Sequence, residues 1–239
     1  MRRFFAPKRQ FDGGRITLGP DETRHLRDVL RLREGEIVKV FDGEGSEYRA
    51  EIVKISKSGS ELRAIEQCPP AAPESGLDLT LATAILKGEK FDLVVQKAVE
   101  LGVKRLVPLF TARSDVKPKG TSKRTERWSR IALEAAKQSG RAALMGIDPP
   151  VSFDDFVRSS GKTTCLMFSE REGENFPSYP NLKEITALVG PEGGWEDSEI
   201  ESARNAGFGI VTLGGRILRA ETAAISIAAI LQHRFGDLN

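Results

Sequence analysis

The chain has 239 residues, 39% hydrophobic and 29% charged, which supports a buried core and room for one large domain or a small and a medium one. No apolar run approaches the roughly 18 residues that cross a bilayer. Cys68 and Cys165 stand in no metal or redox spacing, and with two histidines no Cys/His metal site is expected.

The basic start, Arg2-Arg3-Phe4-Phe5-Ala6-Pro7-Lys8-Arg9, has no apolar core of signal-peptide length, and the two cysteines, read as buried free thiols, make a reducing cytoplasmic compartment the expectation. Residues 1–33 carry nine Lys/Arg against four acids, a local charge of +5. Within them, 21–32 reads as a helix with Leu26, Val29 and Leu30 as its apolar face. Residues 36–41 and 48–55 alternate apolar and polar side chains around the turn Asp42-Gly43-Glu44-Gly45, and 62–65 offers another strand. One short helix with several small strands suggests a compact β-barrel over residues 1–70. Cys68-Pro69-Pro70-Ala71-Ala72-Pro73-Glu74-Ser75-Gly76 is too rich in proline for a helix or central strand, and 71–76 is taken as a linker.

From residue 77 to 239 strands and helices alternate. Strands are expected at 77–85, 105–110, 163–168, 185–189 and 209–213, and helices at 90–101, 123–139 and 221–235. Ser198-Glu199-Ile200-Glu201 fits a capping box opening a helix to Ala206. This order implies an α/β domain with a parallel sheet and helices on both faces. Residues 113–141 hold nine Lys/Arg (Lys117 and Lys119 among them) against three acids, a local charge of +6. Two basic blocks on a chain of net charge +2 suggest a polyanion contact, although two solvated helix faces would read the same way. The final helix has almost no polar face: Ala223, Ala224, Ile225, Ile227, Ala228, Ala229, Ile230 and Leu231 are all apolar. Such a helix is buried on all sides, by the domain core or by a second subunit.

Two glycine-bearing loops follow the last two strands: Leu188-Val189-Gly190-Pro191-Glu192-Gly193-Gly194-Trp195 and Leu213-Gly214-Gly215-Arg216-Ile217-Leu218-Arg219-Ala220-Glu221-Thr222. Open α/β sheets bind ligands beyond the carboxyl ends of their strands, and glycine there lets backbone approach a ligand closely. The dinucleotide fingerprint and the P-loop are both absent, since Leu86-Lys87-Gly88-Glu89-Lys90 stands between the first strand and helix of this region.

Gly190-Pro191-Glu192-Gly193-Gly194, Leu213-Gly214-x-Arg216-Ile217-Leu218-Arg219-x-Glu221-Thr222-Ala223, Gln96-Lys97-Ala98-x-Glu100-Leu101-Gly102-Val103, Gln138-Ser139-Gly140-Arg141, His25-Leu26-x-x-Val29-Leu30-Arg31 and Phe41-Asp42-Gly43 together resemble the bacterial 16S ribosomal RNA uridine-N3 methyltransferases of the SPOUT superfamily. The resemblance covers nearly the whole chain. It implies a PUA-like N-terminal barrel, a C-terminal domain with a deep trefoil knot, and a homodimer whose interface runs beside the cofactor pocket. It also implies S-adenosylmethionine as methyl donor and 16S rRNA in the small ribosomal subunit as substrate, with no metal and no membrane. The donor pocket would take Leu188, Val189, Gly190, Pro191, Glu192, Gly193, Leu213, Gly214, Ile217, Leu218, Arg219, Thr222 and Ala223.

Uridine N3 carries a proton and is a poor nucleophile until that proton leaves. Arg219 and Arg141 are candidates to stabilise the developing charge, and Glu221 and Glu192 are candidate bases. Glu221 could equally be a favourable carboxylate at a helix start, and Arg219 its structural partner. The expected RNA contacts are Arg2, Arg3, Lys8, Arg9, Arg24, His25, Arg31, Lys123, Arg124 and Arg127. Two other readings use the same features: a non-catalytic RNA-binding or ribosome-assembly protein, and a small-molecule enzyme. Donor binding separates the first, and the basic N-terminal region argues against the second.

Overall fold

The computed structural model describes residues 2–116, 120–160 and 163–238, so Lys117 and Lys119 of the second basic block lie outside the described residues. By contacts the chain divides into two units. The first comprises Met1–Glu74 with Ala136–Leu144, and the second comprises Ser75–Ala135 with Met145–Asn239.

In the first unit six strands form one sheet in the order β1-β4-β5-β6-β3-β2. They are β1 (Arg3–Phe5), β2 (Phe11–Asp12), β3 (Arg15–Leu18), β4 (Ile37–Phe41), β5 (Glu47–Ile55) and β6 (Ser60–Cys68). The alternation seen at 36–41 and 48–55 buries Val38, Val40, Ala50 and Ile52 against Phe4, Ile16, Leu18 and Leu62. β1, β2 and β3 escape sequence reading because two to four residues are too short to display a period.

The helix expected at 21–32 is α1 (Pro20–Arg24), which widens into a π-helical stretch at His25–Val29, with Leu30 N–H donating to His25 O at 3.0 Å. The extra residue per turn keeps Leu26 buried but turns Val29 out to 64% exposure, so Val29 does not share the apolar face assigned to it. The proline-rich stretch is tied down within this unit. Ala71 N–H donates to Glu47 Oε2 at 3.1 Å, and Ala72 N–H donates to Gly140 O at 3.0 Å.

The second unit carries β7 (Asp78–Ala84), α2 (Lys90–Glu100), β8 (Arg105–Phe110), α3 (Thr121–Ser139), β9 (Gly146–Ile147), β10 (Val151–Ser152), α4 (Phe153–Ser159), β11 (Thr164–Phe168), β12 (Glu184–Val189), α5 (Asp197–Asn205), β13 (Gly209–Val211) and α6 (Ala220–Phe235). The last turn of α3 belongs to the first unit. All strand pairs are parallel, in the order β10-β8-β7-β12-β11-β13, with β9 beside β8. On one face Phe153, Phe156, Ile200 and Ala203 of α4 and α5 pack on Val107, Met167 and Leu188. α6 packs on β7, β12 and α2. Continuous apolar runs suit a sheet covered on both faces.

One expectation needs correction. The capping box of α5 begins at Glu196, not Ser198: Glu199 Oε2 accepts from Glu196 N–H at 2.9 Å, and the Glu196 side chain accepts from the third residue of the helix. Carboxylates can serve both ends of this motif, and placing Glu199 at the third position buries its side chain, where it also accepts from Ala112 N–H at 2.9 Å. Of the two ways expected to bury α6, the core of the chain itself covers one side. Ala224, Ile227, Ala228, Leu231 and Gln232 are buried, whereas Ala223, Ile225, Ala229 and Ile230 remain half-buried.

Candidate functional site

Pairing aligns Phe168 with Val189 and with Val211, so β11, β12 and β13 end at one edge of the sheet. The loops leaving that edge enclose a cavity of about 510 Å³. It is lined by Lys90, Phe168, Ser169, Glu170, Gly190, Pro191, Glu192, Gly193, Gly194, Leu213, Gly214, Arg216, Ile217, Leu218, Arg219, Ala220, Ala223 and Ile227. Its size and mixture of apolar walls with a few charged groups suit a small organic ligand.

The loop after β12 is held from several sides. Trp195, 1% exposed, donates from Nε1 to Phe168 O at 2.9 Å, and Gly190 lies so close to its ring that a β-carbon would come within 3.0 Å. Gly194 N–H donates to Pro191 O at 3.0 Å, which closes the turn, and Gly194 has φ +69°. Arg113 donates to Gly193 O at 3.1 Å, and Lys90 reaches Glu192 Oε1 at 3.0 Å. The loop after β13 is open by comparison. Ile217 is 83% exposed, and the Arg219 side chain makes no hydrogen bond or ion pair among the described residues.

The cavity gathers ten of the thirteen residues expected to form a pocket: Gly190, Pro191, Glu192, Gly193, Leu213, Gly214, Ile217, Leu218, Arg219 and Ala223. Leu188 and Val189 are instead buried in β12, and Thr222 points outward at the start of α6. Of the four candidate catalytic residues, Arg219 and Glu192 line the cavity. Glu221 does not, and its Oε2 is buried without a hydrogen-bond partner among the described residues, so Arg219 is not its structural counter-ion. Arg141 belongs to the first unit, 5% exposed, with Nε and Nη2 on the Glu74 carboxylate at 2.7–3.2 Å. That commitment removes it from the candidates. Lys90, Phe168, Ser169, Glu170, Gly194, Arg216, Ala220 and Ile227 were not assigned from sequence. The strand-end rule applied to β11 would have found Phe168–Glu170.

Among the expected RNA contacts, Arg2, Arg9, Arg31 and Lys123 are exposed without an ion pair among the described residues. Arg31 holds φ +53°. His25 is exposed, with its ring edge towards Phe4 at 6.2 Å. Arg24 pairs with Asp21, Lys8 with Asp42 and Arg127 with Asp92, each keeping an exposed side chain, and Arg124 is half-buried. Arg3 is a correction. Its guanidinium donates to Glu47 and to the carbonyls of Ala136, Lys137, Gly140 and Arg141, which uses all five N–H groups and leaves none for phosphate.

Residues 73–232 match the RNA methyltransferase domain, and residues 18–65 match the RNA methyltransferase PUA domain. A Synechocystis protein called "Ribosomal RNA small subunit methyltransferase E" is 35% identical, covering 90% of this chain and 72% of that protein. An Aquifex aeolicus protein of the same description is 34% identical over 98% of this chain and 100% of its own. The chain belongs to the ribosomal RNA small subunit methyltransferase E family. A member from Neisseria gonorrhoeae, solved as a crystal structure bound to S-adenosyl methionine, superposes with a TM-score of 0.91 at 34% identity over 100% of both chains. A Legionella pneumophila methyltransferase with the same cofactor gives 0.90 at 34% identity, covering 99% of this chain and 98% of that one. Among the described residues no helix is long and apolar enough to cross a membrane.

Proposed function

We propose that this chain uses S-adenosylmethionine to methylate N3 of a uridine in 16S rRNA of the small ribosomal subunit. The observation that carries the reading is the cavity at the ends of β11, β12 and β13, walled by both glycine loops, in a fold whose relatives at 34% identity hold that donor. The residues fit such a group. Phe168, Leu213, Ile217, Leu218, Ala223 and Ile227 offer apolar surface for adenine, the glycines admit backbone contact, and Glu170 offers an unsatisfied carboxylate. The donor supplies a methyl already activated on a sulfonium.

The chain's own work is alignment, exclusion of water and management of one proton. Arg219, an unpaired guanidinium on the cavity wall, stabilises negative charge developing on the uridine carbonyl oxygens. Glu192 takes the N3 proton, being the candidate base that lines the cavity. Residues 1–70 supply an RNA-binding domain, 71–76 a linker and 77–239 the methyl-transfer domain. Arg2, Lys8, Arg9, Arg24, His25, Arg31, Lys123, Arg124 and Arg127 meet phosphate or base.

A homodimer completes the reading. Exposed Ile217 and Leu218 (83% and 38%) and the half-buried Ile225, Ala229 and Ile230 of α6 form the apolar surface that a second copy covers beside the cavity. The insertion of β12 between β7 and β11 supports the trefoil knot. Cytoplasm is the proposed compartment, where the small subunit is assembled.

The test is methylation of small subunits taken from cells lacking the protein, followed by mass spectrometry of the 16S rRNA. Appearance of one N3-methyluridine is expected, with Arg219→Ala and Glu192→Gln slowing turnover at least a hundredfold while still binding donor. No added methyl group, or near-normal turnover in both variants, would overturn the assignment.

A further inference from the structure

Glu170 lies two residues beyond the end of β11 and lines the cavity with a side chain 35% exposed. Among the described residues its carboxylate accepts no hydrogen bond. The nearest cationic atom, Arg171 Nε, is 4.0 Å away, and that guanidinium is committed to Asp197 at 2.8 Å and to the Trp195 carbonyl. The other carboxylate on the wall, Glu192, is matched by Lys90. Gly194, which holds φ +69° in the turn closed on Pro191, lies directly beside Glu170 Oε1. The cavity wall thus presents, beside the backbone of the glycine loop, a carboxylate that accepts no hydrogen bond among the described residues, an arrangement that favours the arrival of a cation.

We propose that Glu170 is a specificity residue of this pocket, recognising a cationic group of the methyl donor. The inference rests on the reading of the cavity as the donor site. S-adenosylmethionine carries two positive groups, the sulfonium and the α-ammonium. On transfer the sulfur–methyl bond breaks, its electron pair stays on sulfur, the methyl joins the uridine nitrogen, and the sulfur loses its charge. A carboxylate near the sulfur therefore holds donor more tightly than product, while one near the ammonium holds both.

Calorimetric titration of the full-length protein tests this with three probes: S-adenosylmethionine, S-adenosylhomocysteine and the uncharged 5′-methylthioadenosine. Glu170→Gln is expected to weaken S-adenosylmethionine about tenfold, the size of one charge-assisted contact, and to leave methylthioadenosine unchanged. Glu172→Gln is the control, because Glu172 lies two residues on, 50% exposed and paired with Arg204 at 3.4 Å, off the cavity wall. It should change none of the three affinities. An unchanged S-adenosylhomocysteine affinity in Glu170→Gln assigns the carboxylate to the sulfonium, and a parallel loss assigns it to the ammonium. The proposal is overturned by an unchanged S-adenosylmethionine affinity, by an equal loss for methylthioadenosine, or by an equal effect of Glu172→Gln. If the unaltered protein binds no S-adenosylmethionine, the donor-site reading itself fails and takes this proposal with it.

Discussion

Lys90 Nζ lies 3.0 Å from Glu192 Oε1, which joins the first turn of α2 to the middle of the loop after β12. Both side chains are partly exposed, at 42% and 30%, so the pair is worth at most about 1 kcal/mol. Lys90→Met should raise the donor dissociation constant about threefold, and the charge swap Lys90→Glu with Glu192→Lys should recover most of that loss. Calorimetry decides; identical affinities in Lys90→Met and the parent would reject bracing of the loop by this pair.

The apolar stripe left on α6 sets a second expectation. Replacing Ile225 or Ile230, both half-buried, by Glu places a carboxylate where a second copy would pack. The parent is expected to sediment as a dimer and the variants as monomers, with donor binding weakened in step. A parent that sediments as a monomer at micromolar concentration would remove the dimer from the proposal.

Arg3 supports the N-terminal unit from inside. It is 10% exposed against a fully buried Glu47, and it also collects four carbonyls at the end of α3. Arg3→Ala should cost about 3 kcal/mol in urea unfolding, because it takes the guanidinium from the buried Glu47 Oε1 and from those carbonyls, while Ala71 N–H and Lys39 still serve Oε2. Arg3→Lys should recover only part, since an ammonium has three donors in place of five. A change below about 0.5 kcal/mol would place Arg3 among ordinary surface residues.

Asp42, 2% exposed, accepts from the amides of Glu44 and Ser46 at 2.8 and 3.0 Å and from Lys8 at 3.1 Å. Burial opposes its charge, but those hydrogen bonds outweigh burial and hold the carboxyl below its ordinary range. A carboxyl depressed on folding stabilises above its unfolded value of about 3.9 and loses that contribution as pH falls through its folded value. The stability gap between the parent and Asp42→Asn should therefore be full at neutral pH, about 2 kcal/mol, and shrink progressively below about pH 4. Urea titrations across that range measure it, and a gap that widens towards acid contradicts the assignment.

The parts legible in the sequence were those whose signal is local. Leu188-Val189-Gly190 reads as strand then turn, because continuous apolar residues meet glycine, and the same logic found β7, β8, β11 and the two loops. Lys90 was not legible as a cavity residue, because nothing in its neighbourhood marks a ligand, and Phe168 and Glu170 are marked only by their place at and just beyond a strand end. They reach the cavity only through the pairing of β11 with β12 and the placement of α2. Arg3 and Arg141 carried the opposite error, since a basic residue reads as a phosphate or substrate contact until a partner acid, Glu47 or Glu74, is seen beside it.

Sequence alone determined the alternation of strand and helix, the parallel sheet and the two glycine loops, because side-chain period and glycine's backbone freedom act over a few neighbouring residues. Tertiary structure decided which charges are free and which are taken, and which strand ends converge on the cavity. Those outcomes depend on pairing between residues far apart in the chain, such as Arg3 with Glu47 or Phe168 with Val189, and no local pattern encodes that pairing.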